Sequence, residues 1–319
     1  MFDSAFRTLF LSTKAHLSLN NKRLIIAQDD AKVAIPLGDI LCVIIESRQI
    51  TLSSALLDAF AGRNIVAFVC DESHMPSGLF TPFLGHYKSL SVLQTQISLN
   101  NHKKSILWQQ IIKAKISNQA NLLKMLDKKE SSALEILAKG VKLLDAGNNE
   151  SKAAMAYFRA LFGVDFTRRL EVFEDSKAGT INAALNYGYA IVRAIIARSI
   201  CASGLNPALG LFHANQFNAF NLADDMMEPY RIFVDSVVVA MLESGELGEN
   251  LSLENRAKLA NILSARVMIG NKAYPLNRAA VASIASLAHA MQAESRLALP
   301  SFKEGKSDGR EIYESSGDV

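Results

Sequence analysis

Three acids crowd into the short segment NLADDMMEPYR: Asp224, Asp225 and Glu228. If this stretch is helical, Asp224 and Glu228 stand at i, i+4 and Asp225 and Glu228 at i, i+3, so either pair shares one face. Carboxylates placed in this way repel one another unless water or a cation lies between them. A solvated face and a cation site both fit the spacing. On the repulsion argument, removing Glu228, or Glu150 where it joins the set, leaves the fold as stable as before, or slightly more so. His213 lies upstream, directly after the apolar run Ala208 to Phe212, and alone it reads as a core or loop residue. Glu150 opens the stretch ESKAAMAYFRALFG, where a helix dipole favours a carboxylate, and alone it reads as a plain first-turn acid. Together these segments supply one imidazole and several carboxylates. That is a hard, oxygen-rich set suited to Mg²⁺ or Mn²⁺, whereas zinc would draw on more His or Cys. Spacing alone gives the set weak specificity.

Competing chemistries leave no trace. No Walker A loop, GxGxxG, HExxH or GxSxG occurs, which argues against nucleotide hydrolase, dehydrogenase, zinc protease and serine hydrolase readings. The three cysteines, Cys42, Cys70 and Cys201, are scattered and unpaired in sequence, which suits a reducing compartment better than a disulfide scaffold. Net charge is +3, which permits a nucleic-acid partner without demanding one. The most apolar stretches are broken by Arg193, Arg198 and Asp235, so none reads as a membrane span, and no signal peptide is evident. A cytoplasmic location is expected.

The elements that must position these residues fall into two regimes. With 50% apolar and 20% charged residues, the chain can bury a large core. The first seventy-odd residues carry strand signals: Phe6 to Lys14, a hairpin in HLSLNNKRLIIAQDD turning at Asn20-Asn21-Lys22, Val33 to Leu37, Ile40 to Glu46, and IVAFVCD. TLSSALLDAFAGRN reads as a short amphipathic helix, and DESHMPSGLF as a loop broken by Pro76 and Gly78. From about Ser89 the period becomes helical and stays so to about Leu299. Helices are expected over Ile106 to Leu122 (with Trp108 in the core), Leu134 to Leu144, Glu150 to Gly163, Ala178 to Ser203, Ala223 to Gly245, Leu253 to Met268 and Asn277 to Arg296. Asp145 to Asn149 reads as one helix's C-cap followed by the next one's N-cap. The polar, Gly- and Ser-rich stretch 300–319 reads as a disordered tail. The expected fold is α+β and multidomain: a small β-sandwich-like domain over 1–88, then a larger all-α catalytic domain over 89–299.

Four stretches, in order, carry a family resemblance. LGLFHANQFNAFNLADDMMEPYRIFVD resembles the signature of the CRISPR-associated integrase family, Cas protein one. NNESKAAMAYF is similar to the segment around that family's first catalytic Glu, and TINAALNYGYAIVRA to its Asn-Ala-x-Leu-Asn-Tyr-Gly-Tyr helix. TLSSALLDAF…NIVAFVCDESHMPSGLFTPF together with WQQIIKAKISNQANLL resembles the branch that accompanies type II systems. The resemblance spans roughly residues 5 to 298.

It implies metal ligands at Glu150, His213 and Glu228, with Mg²⁺ or Mn²⁺ as the cofactor. Asp225 either supports the ligand shell or binds the ion, and on the first reading its loss is the milder one. Asn186 and Tyr187 either line the site or, for Tyr187, pack in the core. Arg231 either meets a phosphate or pairs with Asp235. The implied reaction is insertion of short foreign DNA into a CRISPR array by 3′-hydroxyl transesterification. The implied assembly is a homodimer joined through its β domains, with two such dimers clamping the small companion adaptation protein, Cas protein two. Lys113, Lys115, Arg159, Arg168, Arg169 and Arg193 are available for DNA phosphates. A metal-dependent nuclease on branched DNA, and a non-catalytic DNA-binding scaffold, remain as alternatives.

Overall fold

A computed structural model describes residues 7–29, 31–72, 74–80, 82, 88–169 and 176–303. The N-terminal region holds two four-stranded sheets. In the first, β1 (Arg7–Leu11), β5 (Ile40–Ile45) and β7 (Val66–Cys70) run parallel, and β8 (Pro76–Phe80) closes the edge antiparallel to β7. The second has the order β4 (Ala31–Pro36), β3 (Arg23–Gln28), β2 (His16–Asn20) and β6 (Thr51–Leu52). The expected hairpin turns through Asn21 and Lys22, both at positive φ, which gives the two-residue turn that matches strand twist. Strand β8 lies where a loop was expected. Pro76 sits at its first position on the sheet edge, where a missing N–H costs the ladder least, beside a register shift at Val69/Cys70.

Strand β5 is buried on both faces because its sheet is a middle layer. Val43 and Ile45 face a core shared with Leu17, Leu24 and the helix α1 (Ser54–Gly62), through Leu56 and Phe60. Cys42 and Ile44, on the opposite face, join Trp108 and the rest of the helical core.

The remainder is mostly helical, as expected. After α2 (Ser89–Ile97), the helix α3 (Asn101–Met125) runs through the body with Trp108, Ile111, Ile112 and Ile116 fully buried. It packs on α4 (Ser131–Lys139) and α5 (Asn149–Phe162). Helix α6 (Lys177–Ala202) is buried on nearly every side and crosses close to α8 (Arg231–Glu243). At Gly188 a Cβ would lie 2.4 Å from Val234 Cγ1, so that crossing excludes any side chain. The helix expected from Ala223 to Gly245 is broken. It splits into α7 (Asn221–Met227), a 3₁₀ turn at Glu228–Tyr230, and α8, because Pro229 lacks an N–H and its ring clashes with the preceding turn.

Two further departures correct the expectation. Helix α9 (Leu253–Ala260) stops short, and Arg266–Ile269 forms strand β9, which pairs with β10 (Lys272–Pro275) across Gly270-Asn271. Helix α10 (Leu276–Gln292) follows, and then Pro300–Ser301 add a third strand, β11, to β9. The helical region thus carries a small sheet of its own. Order extends past 299, and the expected tail from 304 onward lies outside the described residues. Among the described residues, no helix is long and apolar enough to cross a membrane.

Candidate active site

Glu150 is placed by a cap. The Asp145 carboxylate accepts the backbone N–H of Asn149 at 2.9 Å and of Glu150 at 2.8 Å, satisfying the first donors of α5. The capping group is therefore the Asp145 side chain, and Asn148 makes the turn in a left-handed conformation, φ 52°. Glu150, partly exposed, accepts a hydrogen bond from Lys115 Nζ of α3 at 2.7 Å.

Glu228 sits at the kink before Pro229 and is buried. Its Oε2 lies 2.5 Å from the same Lys115 ammonium, and its Oε1 accepts from Arg231 Nε at 3.0 Å. Burial alone would raise this carboxyl, but Arg231 and Lys115 hold it down at about 2. Burial likewise pulls the Lys115 ammonium down, and Glu228 and Glu150 more than offset it, so Lys115 stays charged. The Arg231 guanidinium lies 4.5 Å from the Tyr189 ring centroid.

His213 is held by Asp225, which is fully buried. One Asp225 oxygen accepts the backbone N–H of Leu211 at 2.6 Å and of Phe212 at 3.1 Å. The other takes the backbone N–H of His213 at 3.2 Å and its ring Nδ1 at 2.6 Å. That bond raises the imidazole above its ordinary range against the opposing pull of burial. It also fixes the ring so that Nε2 points away from Asp225, as in carboxylate–histidine–metal triads. Gly210 makes this turn possible, since a Cβ there would lie 2.3 Å from His213 O and 2.9 Å from Asp225 Oδ2. Trp108 stacks on Phe212 at 4.5 Å between centroids and meets the His213 ring edge-on at 5.8 Å, so this core residue also braces the site.

The family model for CRISPR associated protein Cas1 matches residues 9–265. A CRISPR-associated endonuclease Cas1 from Neisseria meningitidis serogroup C is 37% identical over 265 residues, 83% of this chain and 85% of that protein. This chain belongs to the Cas1 family. Two solved structures share its fold. A casposase bound to integration product matches with TM-score 0.75 at 19% identity, covering 91% of this chain and 92% of its own. A chain of a Cas6-RT-Cas1–Cas2 complex matches with TM-score 0.71 at 18% identity, covering 96% of this chain and 37% of its own. The Neisseria relative fits the type II-like branch seen in the sequence.

In this Cas1-family chain the other named residues separate. Asp224 turns away from Glu228 and pairs with Arg193 at 2.6 Å. Asn186 accepts from Arg168 at 2.5 Å. Tyr187 is buried and faces the β region, where Cys70, Glu46 and Arg256 are its charged or polar neighbours, so it lines no part of the site. Two residues along α6, Tyr189 is the one that reaches it, under Arg231. Arg231 bonds Glu228, not Asp235. Asp235 instead accepts from Tyr157 OH at 2.8 Å and from Tyr189 OH. Lys115, in the sequence one basic residue among several, is internal to the site. No spacing signal marks it, because its partners come from distant segments.

Two carboxylates and an imidazole nitrogen suit Mg²⁺ or Mn²⁺ in type. The buried Glu228 Oε2 is held by the Lys115 ammonium at 2.5 Å, so an ion there would have to take the place of the lysine. Among the described residues, no three His, Cys, Asp or Glu already stand at ion-binding geometry.

Proposed function

We propose that this chain is a divalent-metal-dependent DNA endonuclease and integrase that inserts short DNA into a CRISPR array by 3′-hydroxyl attack. The observation that carries the reading is the meeting of Glu150 and Glu228 on one cation, Lys115, together with a histidine whose Nδ1 is fixed by Asp225 and which feels the Glu228 charge. The 37% identical Neisseria relative is named an endonuclease, and the fold is shared with a casposase bound to integration product. A bound Mg²⁺ or Mn²⁺ would supply Lewis-acid activation of the scissile phosphate. Glu150, Glu228 and His213 Nε2 would hold it. Asp225 keeps the imidazole in the ligating tautomer, and Arg231 keeps the Glu228 carboxylate oriented. In the reaction the 3′-hydroxyl oxygen forms a new P–O bond as the target's P–O bond breaks, so one phosphodiester replaces another. No protein nucleophile is required.

On this reading the chain divides near residue 88 into a dimerisation domain and a catalytic domain, and its partners are a second copy, DNA and Cas2. Lys115, Arg168 and Arg193 are engaged internally. Lys113, Arg159 and Arg169 are left as the candidates for phosphate contacts. The test is integration of a labelled short duplex into a repeat-bearing plasmid, with Mg²⁺ or Mn²⁺ and with EDTA. Glu150→Ala, His213→Ala and Glu228→Ala should each abolish product while a gel shift still shows DNA bound. Full activity in EDTA, or in His213→Ala, overturns the mechanism.

A further inference from the structure

Lys115 bridges two acids that arrive from different parts of the chain. Glu150 belongs to the first turn of α5, and Glu228 to the 3₁₀ turn after α7. The ammonium lies 2.7 Å from Glu150 Oε1 and 2.5 Å from Glu228 Oε2, with only 12% of the lysine side chain exposed. A buried and a partly exposed carboxylate that meet at one point require a positive charge between them, and the protein supplies one of its own. A lysine ammonium is a compact point charge on a flexible stem, which can move while its helix stays in place. A divalent ion would take the same carboxylate oxygens, at about 2.0–2.1 Å for Mg²⁺. The second Glu228 oxygen is already bonded to Arg231. Ion and ammonium therefore contend for Glu150 Oε1 and Glu228 Oε2.

We propose that Lys115 is a displaceable internal cation, a positioning residue that holds Glu150 and Glu228 together and competes with the divalent ion for their oxygens. The inference rests on the metal-dependent reading above and adds to it a built-in threshold: the ion binds only once it outcompetes the lysine. Lys115 then sets how much metal the enzyme needs, apart from how fast it works once loaded.

The test uses the full chain and Mn²⁺ alone, with binding followed by electron paramagnetic resonance and melting temperature read in EDTA and in saturating Mn²⁺. Lys115→Met should melt below wild type in EDTA, because the acids lose their shared cation. Mn²⁺ should close that gap, since the ion then does what the lysine did. With one competing charge gone, Mn²⁺ should bind roughly tenfold or more tightly. Lys115→Arg keeps the charge but grips both carboxylates with a planar fork. It should bind Mn²⁺ more weakly than wild type and be stabilised less by it, and it carries the test alone if Lys115→Met does not fold. Wild-type Mn²⁺ affinity in the variants that fold, with any melting deficit the same in EDTA and in Mn²⁺, overturns this inference and leaves the metal reading standing. A wild-type protein that neither binds Mn²⁺ nor is stabilised by it removes both.

Discussion

At the scale of residues, Asp225 and Glu228 do different work from what their spacing suggests. Asp225 accepts three backbone N–H groups and the His213 ring, all from the turn after Gly210. Removing it strands the buried Leu211 N–H, at about 1–3 kcal/mol, and leaves the part-buried donors of Phe212 and His213 to water. Asp225→Ala should therefore be destabilising in urea unfolding, on the order of 2 kcal/mol, and should abolish integration. Unchanged stability would show that the 210–213 turn holds itself. This reverses the expectation of a mild effect. It also reverses the idea that losing an acid relieves repulsion, because Glu228 is not facing bare carboxylates. Glu228→Gln leaves Lys115 and Arg231 short of a buried counter-charge, so its melting temperature in EDTA should fall below wild type. A rise would revive the repulsion argument. The residue types were legible in the sequence, and so was the chemistry they allow. Which of the adjacent acids Asp224 and Asp225 faces inward was not, since that is decided by a turn formed at 210–213 and by Arg193 on α6.

Three helices meet at one buried carboxyl, so the packing of elements carries a pH signature. Asp235 on α8 accepts hydroxyl hydrogen bonds from Tyr157 on α5 and Tyr189 on α6. Burial raises its carboxyl from 3.8 to about 6, against the opposing pull of the two hydroxyls and of Arg231 and Arg168. The folded state thus holds this proton through a window in which the unfolded chain has released it. The group's contribution is fully present below pH ~4 and is lost as pH rises through about 6. Asp235→Asn cannot ionise. Its stability relative to wild type should improve between pH 4 and 7 by something on the order of 3 kcal/mol, read by urea unfolding at several pH values. A gap that stays constant with pH would mean that Asp235 titrates normally. The helices themselves were readable from their period, but this junction was not, because it joins residues that share no local pattern. The kink at Pro229 was readable in principle: a proline inside an apolar helical run breaks it, and here the break is what brings Glu228 round to Lys115.

At the scale of the whole molecule, α3 links the site to the last of the described residues. Lys115 and Asn118 lie on this helix three positions apart. Asn118 is buried and donates to Pro229 O at 2.9 Å, next to Glu228, and to Pro300 O at 3.0 Å. It also accepts from Phe302 N at 2.9 Å, while Asn121 donates to Phe302 O at 2.7 Å. Phe302 packs edge-on against Phe233 at 5.6 Å between centroids. This short strand has no apolar period for a sequence to display. It is specified by two asparagines far upstream and by the edge of β9, so composition alone assigned it to a tail. A chain ending at Leu299 and one ending at Lys303 differ only by these four residues. The shorter one loses β11, leaves the Asn118 amide with one of its three hydrogen bonds and uncovers Phe233. Unmade buried hydrogen bonds and a lost aromatic contact each cost about 1 kcal/mol or more, so it should melt several degrees below the longer chain. Because Asn118 also anchors Pro229, the loss should reach the site, and integration should fall further than the melting temperature alone explains at the assay temperature. Thermal melts and plasmid integration on the two truncations check both parts. Equal melting would detach the strand from the core, and lower melting with full activity would detach it from Glu228.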